Sequence, residues 1–403
     1  MFNFSTTKIS TDRDKINEIL TRGTEDIFIE KHLKDELLSG KQLRVKFGID
    51  PTSPAIHLGR TIPLLKLKAF QDLGHKVVLI VGDFTAKIAD PSDKLEKRPM
   101  LSDEEIKRNL KGYLAQIGKI INIKSSEIHY NSEWLKKMSL FEIGELLECF
   151  TVQQMSKRRN FKERLEAEKD IYVVEFMYPA LQGYDSLKIK ADIELGGFDQ
   201  LFNLKAGRTV QKRYGQKEQD VITLSMLEGT DGRKMSSSWG NVISLLDSKE
   251  DMFGKVMSIR DDLIIKYFTL CTNISMSEIA IFEQDLKSSI NPKDLKLKLA
   301  KEIVAMYYGE INAKAAEENF ENTFSKGGVP EDIIEVSVAK GVSLSDILMI
   351  NQIVISKSEF RRLVSEGAVT NVDTGEKILD TEFKVSNGVY KVGKRRFIKI
   401  KVI

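Results

Sequence analysis

Cysteine is nearly absent: Cys149 and Cys271 are the only two in 403 residues. Two thiols cannot build a disulfide framework, and no Cys–His spacing suggests a zinc site, so no metal-binding residue is expected and a reducing, cytoplasmic setting fits. An excess of one charge is also lacking. The 62 Lys and Arg against 59 Asp and Glu leave a net charge of +3, which neither demands nor excludes a nucleic-acid partner. No apolar run approaches the about eighteen residues of a membrane span. The opening MFNFSTTKISTDRDK lacks the basic-then-apolar pattern of an export signal, so no membrane partner is expected. Repeats and low-complexity tracts are absent. What remains is an ordinary globular composition, 41% apolar and 30% charged, long enough for two or three domains.

The periodicities place those domains. Leu43, Val45, Phe47 and Ile49 alternate through QLRVKFGID (42–50) as in a strand, and PTSP breaks it. From His57, apolar residues recur at helical spacing until Gly74, and VVLIV (77–81) follows as a continuous buried strand. Strand–helix–strand is the unit of a doubly wound parallel sheet, whose ligands bind at the carboxyl edge. A charged helical insertion (139–170, within about 135–180) interrupts the pattern. The sheet resumes with KIKADIELGG (188–197) and VITLSML (221–227). These elements assign 1–245 to a Rossmann-like α/β domain. From 246 to 335 the strands disappear, and Leu295, Leu299, Ile303, Met306 and Tyr307 mark an amphipathic helix. A small third unit, 341–403, has a helix at 356–367 and then short strands.

Two motifs carry the chemistry. HLGR (57–60) sits where the first strand hands over to the first helix, and KMSSS (234–238) follows a later strand. A helix N-terminus offers N–H groups to phosphate, Gly59 permits close backbone approach, and His57 can donate to a phosphate oxygen. Lys234 is a mobile point charge suited to pyrophosphate, on a loop made pliable by Gly229 and Gly232. Taken alone, HLGR reads equally as an incidental helix start, and KMSSS alone reads rather as a surface lysine loop. In this order, each after a strand, the pair resembles the class I aminoacyl-tRNA synthetases. A third feature is Tyr178, Gln182 and Asp185, at i, i+4 and i+7 on one face of an otherwise apolar helix. Polar groups are seldom buried without partners, so the stripe either satisfies itself or holds a polar ligand.

With DPSDKLEKR (90–98) and GGFDQ (196–200), these motifs make essentially the whole chain similar to the bacterial-type tyrosyl-tRNA synthetases. The resemblance implies a tyrosine pocket of Thr85, Asp90, Asn131, Tyr178, Gln182, Asp185 and Gln200. Asp90 would pair with the substrate ammonium and Asp185 would accept from its phenol. It implies an ATP site of Gly48, Asp50, Thr52, His57, Gly59, Gly196, Asp199, Met226, Leu227 and Lys234. Lys94 and Arg98 would contact pyrophosphate in the transition state, acting with His57 and Lys234 as the catalytic set. ATP would enter with Mg2+. The 246–335 segment would be an anticodon-proximal helical domain, the insertion a homodimer interface, and 341–403 an S4-like α+β RNA-binding domain. There Lys357, Arg361, Arg362, Lys394, Arg395 and Arg396 would meet the phosphates of tRNA(Tyr), which gives affinity rather than base reading.

The chain departs from that pattern in three places. Ser237 stands where a second lysine is usual, Arg60 where His is common, and Lys46 where many relatives carry a tyrosine. The resemblance gives Arg60 no role and leaves the second partner of the phenol open. Other readings are a tryptophanyl-tRNA synthetase, an RNA-binding protein without aminoacylation, and another nucleotidyltransferase of the superfamily. The polar stripe and the S4-like tail count against the first, retained His57, Lys234 and Asp185 against the second, and the RNA module against the third. A further basic cluster at 157–164 (Lys157, Arg158, Arg159, Lys162, Arg164) reads equally as a solvated face or an RNA-facing patch.

Overall fold

A computed structural model describes residues 8–88, 90, 100–288, 291–322, 333–393 and 396–403. The chain divides into two compact units, Met1–Glu310 and Ile311–Ile403.

In the first unit the elements run α1 (Arg13–Thr21), β1 (Thr24–Phe28), α2 (Glu30–Leu38), β2 (Arg44–Ile49), α3 (Leu58–Asp72), β3 (Lys76–Val81), α4 (Thr85–Ile88), α5 (Asp103–Leu110), α6 (Tyr113–Ile117), β4 (Glu127–Tyr130) and α7 (Ser132–Leu135). The insertion supplies α8 (Leu140–Leu147), α9 (Val152–Ser156) and α10 (Arg159–Glu166). Then come α11 (Val173–Ile189), β5 (Ile193–Gly197), α12 (Leu201–Arg213) and β6 (Asp220–Leu224). The six strands form one sheet in the order β1-β6-β5-β2-β3-β4. All neighbours are parallel except β1, which pairs antiparallel with β6 at one edge. Chain order reverses between β2 and β5: β3 and β4 extend one way from β2, and β6 extends the other way from β5. In doubly wound sheets that reversal opens the ligand crevice at the strands' carboxyl ends.

Burial follows the architecture. Every residue of β6 and all but the first of β3 are buried, as strands covered on both faces require. The same covering buries a charged pair. Lys46 lies opposite Glu194 across β2 and β5, and their side chains, 0% and 1% exposed, meet at 2.8 Å. Glycine lets α11 and α12 pack closely: a Cβ on Gly183 would come within 2.8 Å of Val210 Cγ2 and 3.0 Å of the Ala206 carbonyl.

Two strand boundaries differ from the periodicity. The alternation at 188–197 begins inside a helix: Ile189 ends α11 on its buried face, Lys190 closes it in the left-handed region (φ 51), and the strand starts at Ile193. Likewise β6 stops at Leu224, and Ser225–Leu227 leave the sheet.

The following helices, α13 (Lys249–Met257), α14 (Ile264–Cys271), α15 (Met276–Lys287) and α16 (Pro292–Tyr308), belong to the same compact unit. Here α14 packs on α3, and Arg22 donates to the carbonyls of Thr269 and Thr272 at 2.9 and 2.6 Å. Helix α17 (Glu310–Phe320) begins at the boundary between the units.

In the second unit, β7 (Ile334–Val338), α18 (Leu344–Ile350), α19 (Lys357–Ser365), β8 (Val369–Asn371), β9 (Gly388–Val392) and β10 (Arg396–Val402) form a four-stranded sheet, β7-β10-β9-β8, with a helix pair. Its own core includes Leu344, Leu348, Phe360, Val364, Tyr390 and Ile398. Among the described residues, no helix is long and apolar enough to cross a membrane.

Candidate active site

A cavity of about 580 Å³ opens at the carboxyl ends of β2 and β5, where the chain order reverses. All the described residues singled out for tyrosine or ATP line it: Gly48, Asp50, Thr52, His57, Gly59, Thr85, Asp90, Asn131, Tyr178, Gln182, Asp185, Gly196, Asp199, Gln200, Met226, Leu227 and Lys234. Lys94 and Arg98 lie outside the described residues.

One hydrogen-bond network spans the cavity. Asp50, which follows β2, accepts from Thr85 Oγ1 at 2.8 Å and from the Tyr178 hydroxyl at 2.9 Å. Asn131 Nδ2 lies 3.0 Å from Thr85 Oγ1 and 3.2 Å from Asp185 Oδ2. Trp134, on α7, donates its indole N–H to Asp185 Oδ1 at 2.7 Å. The polar stripe on α11 therefore does not satisfy itself. Tyr178 reaches β2, Gln182 Nε2 donates to Glu194 on β5 at 3.0 Å, and Asp185 reaches α7. Gly82 makes the network possible, because a Cβ there would overlap Asp50 Oδ1 and Thr85 Oγ1.

Burial sets the charge states. It pushes the Asp185 carboxyl, 3% exposed, up to about 7, with the charge of Lys46 the strongest opposing influence. It raises Asp50 to about 6 against the bonds from Thr85 and Tyr178. Burial, reinforced by the Arg60 and Lys234 charges, lowers His57 to about 3. The imidazole is therefore neutral near pH 7, and its buried Nδ1 has no hydrogen-bond partner among the described residues. A neutral imidazole still has one N–H to donate.

Lys46 is held by Glu194, by Ser186 Oγ at 2.7 Å and by the Gln182 carbonyl at 2.9 Å, a buried cluster behind the stripe. Asp90 accepts from Gln200 at 2.5 Å and lies 3.4 Å from Asn203 Nδ2. Arg158 stands 3.7 Å from it, between the rings of Phe161 and Phe202. Arg158 and Arg164 are buried, and Arg164 pairs with Glu175. The 157–164 cluster is therefore neither a uniform solvated face nor an open basic patch.

The KMSSS loop lines the cavity through Lys234, Met235, Ser236 and Ser237. Lys234 Nζ pairs with Asp199 at 2.7 Å. Asn241 donates to Asp231 at 2.7 Å and accepts from the Ser236 N–H at 2.9 Å, pinning the loop. Met235 presses its sulfur on the Gly59 N–H at 3.3 Å, and the Leu58 N–H donates to the Ile243 carbonyl at 2.9 Å. The N–H groups of Leu58 and Gly59, which open α3, are thus occupied rather than offered.

In the second unit, Lys357 pairs with Asp346, Arg362 with Glu366 and Arg396 with Glu359, at 2.8–2.9 Å. Arg361 is exposed, and Lys394 and Arg395 lie outside the described residues. Trp134, Gly82, Arg158 and the Lys46–Glu194 pair were not singled out as site residues from sequence. Trp134 had a signal, three positions after Asn131 in HYNSEW; Lys46 had one as a departure from the family pattern, and Arg158 one in the 157–164 basic cluster.

The family of class I tRNA synthetases for tryptophan and tyrosine matches residues 38–325. A tyrosine–tRNA ligase of Thermotoga maritima is 45% identical over 388 residues, covering 95% of this chain and 96% of that protein. One from Shewanella oneidensis is 43% identical over 398 residues, covering 97% and 100%. A C-terminally truncated mitochondrial tyrosyl-tRNA synthetase of Coccidioides posadasii superposes with a TM-score of 0.62 at 22% identity, over 75% of this chain and 91% of that one. The tyrosyl-tRNA synthetase of Archaeoglobus fulgidus, solved with L-tyrosine, gives 0.60 at 21%, over 75% and 99%. The two superpositions establish the fold.

Proposed function

The chain belongs to the class I tRNA synthetases for tryptophan and tyrosine, and we propose that it is the member that activates L-tyrosine with ATP and then charges tRNA(Tyr). The observation that carries this reading is the continuous network from Asp50 to Asp185 along one wall of a single cavity. A carboxylate held with an indole and an amide donor, 3% exposed, is an acceptor placed for a buried phenol hydroxyl. An analogue lacking the hydroxyl would leave that carboxylate short of a partner.

In this reading Asp90, steadied by Gln200, holds the ammonium and Asp185 the phenol. The substrate carboxylate is thereby presented to the α-phosphate on the His57–Gly59 side, and Gly196 and Asp199 meet the ribose. His57 donates from its neutral ring, and Lys234 leaves Asp199 to follow the departing pyrophosphate. Positioning and fixed charge supply the rate, because the step asks no covalent chemistry of the protein. Among the described residues no three His, Cys, Asp or Glu side chains group as a metal site. Mg2+ would enter on the nucleotide's own phosphates and screen their charge.

The second unit serves as an S4-like RNA-binding domain, and Arg361 is exposed there on α19. A homodimer forms through the insertion, supported by apolar side chains left exposed there: Leu140, Phe141, Val152 and Val173. The test is tRNA-independent ATP–pyrophosphate exchange with each of the twenty amino acids. Exchange with tyrosine alone supports the reading. Exchange with tryptophan keeps the fold and overturns the role of Asp185, and no exchange overturns the activity.

A further inference from the structure

We propose that Arg60 is a phosphate-binding residue of the ATP site, supplying from α3 the second cation that the KMSSS loop lacks at Ser237. The inference rests on the ATP-dependent reading above and goes beyond it. Among the described residues that line the cavity, Arg60 and Lys234 are the two Lys or Arg side chains. Their situations differ. Lys234 sits on the loop and is paired with the Asp199 carboxylate at 2.7 Å. Arg60 sits on the first turn of a fifteen-residue helix. It donates to two neutral hydroxyls, Thr52 Oγ1 at 2.7 Å and Tyr113 OH at 3.1 Å, and no described carboxylate forms an ion pair with it.

A guanidinium has five N–H donors in a fixed fork. Those two bonds orient the fork and leave donors for an anion. Thr52 and His57 line the same wall, and the Arg60 charge reaches both Asp50 and His57, acting on the titration of each. The backbone donors that a phosphate would otherwise find are engaged: Gly59 N–H on the Met235 sulfur and Leu58 N–H on the Ile243 carbonyl. Arg60 is therefore the described group on that wall with charge, spare donors and a preset orientation. Such forks suit phosphate oxygens in bidentate geometry. Ser237 faces the same cavity from the loop, so a lysine there would add a cation to that cavity.

The test compares Arg60→Gln, Arg60→Lys, Ser237→Lys and Arg60→Gln/Ser237→Lys with the unmodified protein. It uses tyrosine-dependent ATP–pyrophosphate exchange, and equilibrium binding of inorganic pyrophosphate without amino acid. Arg60→Gln is expected to weaken pyrophosphate binding and lower kcat/KM for ATP by about ten- to hundredfold, the loss of one charge-assisted contact, with the KM for tyrosine unchanged. Arg60→Lys, which keeps the charge but not the fork, recovers part of the loss seen in Arg60→Gln, and Ser237→Lys restores the Arg60→Gln enzyme at least severalfold. Unchanged pyrophosphate binding in Arg60→Gln overturns the proposal. So does a loss that neither Arg60→Lys nor Ser237→Lys relieves, because Arg60 would then only brace Thr52 and Tyr113. If the unmodified protein shows no tyrosine-dependent exchange, the proposed activity fails, while pyrophosphate binding still decides the role of Arg60.

Discussion

Replacing Asp185 with Asn is expected to make the protein less selective and, as pH rises, increasingly stable relative to the parent. Burial raises this carboxyl from 3.8 to about 7 in the folded chain, a shift worth about 4 kcal/mol at about 1.4 kcal/mol per unit. The sign follows from proton counting. Between those values the folded state keeps a proton that the unfolded state has released, so stability falls as pH climbs, and the penalty is complete above about 7. The side chain is 3% exposed, so solvent screens little of it. Asn has nearly the shape of the neutral acid and carries no such penalty. Between pH 5 and pH 8 the variant should gain about 2–3 kcal/mol on the parent, above a constant cost at both pH values from the one donor, Asn131 or Trp134, from which an amide NH2 cannot accept. At about 2 °C per kcal/mol for a unit of this size, its thermal midpoint gains about 5 °C on the parent's between those pH values. Asp50, which also titrates high, is common to both proteins and cancels. The assay is thermal unfolding without ligands, by circular dichroism, at pH 5 and pH 8. An offset that is equal at both pH values, or that shrinks with pH, refutes the argument. In amino-acid activation the same variant should lose about tenfold or more of its preference for tyrosine over phenylalanine, because one acceptor of the phenol is gone. A gain in stability at the expense of activity is the expected exchange for a buried functional charge.

Lys46→Met strands Glu194 in the sheet and should cost about 3–5 kcal/mol in urea unfolding, at least half of it recovered by adding Glu194→Gln; equal losses in the single and double variants would mean that the pair is not coupled. Gly82→Ala should lower tyrosine activation by more than tenfold and destabilise by about 1–3 kcal/mol, since its Cβ overlaps Asp50 and Thr85; normal exchange kinetics would show that the network tolerates displacement. Deleting 341–403 should spare pyrophosphate exchange while raising the KM for tRNA, and charging by the full chain should weaken more steeply with salt than charging by the truncated one; loss of exchange would place the segment within the catalytic fold.

What could be read from the chain tracks what is local. Strands β2 and β3, helix α3 and the stripe on α11 were legible because each has one period over several residues. Edge strands β1 and β4 were not, because Thr24–Phe28 and Glu127–Tyr130 contain no fully buried residue and so carry no alternation. The start of β5 was misplaced because the last turn of α11 puts Ile189 and then Ala191 inward, which imitates a period of two. The site shows the same division. Tyr178, Gln182 and Asp185 share one helix and announce themselves, whereas Trp134 meets Asp185 across 51 positions and Arg158 meets Asp90 across 68.

Lys46 is the most instructive case. Its neighbours Val45 and Phe47 alternate with it as though it faced water, and its partner Glu194 is 148 residues away. Only a sheet covered on both faces turns that polar position inward. The lysine then becomes the strongest influence holding down the Asp185 carboxyl, the group on which tyrosine selectivity is proposed to rest. A residue with no motif around it thus sets the charge of one that has a motif, and no periodicity along the chain connects the two.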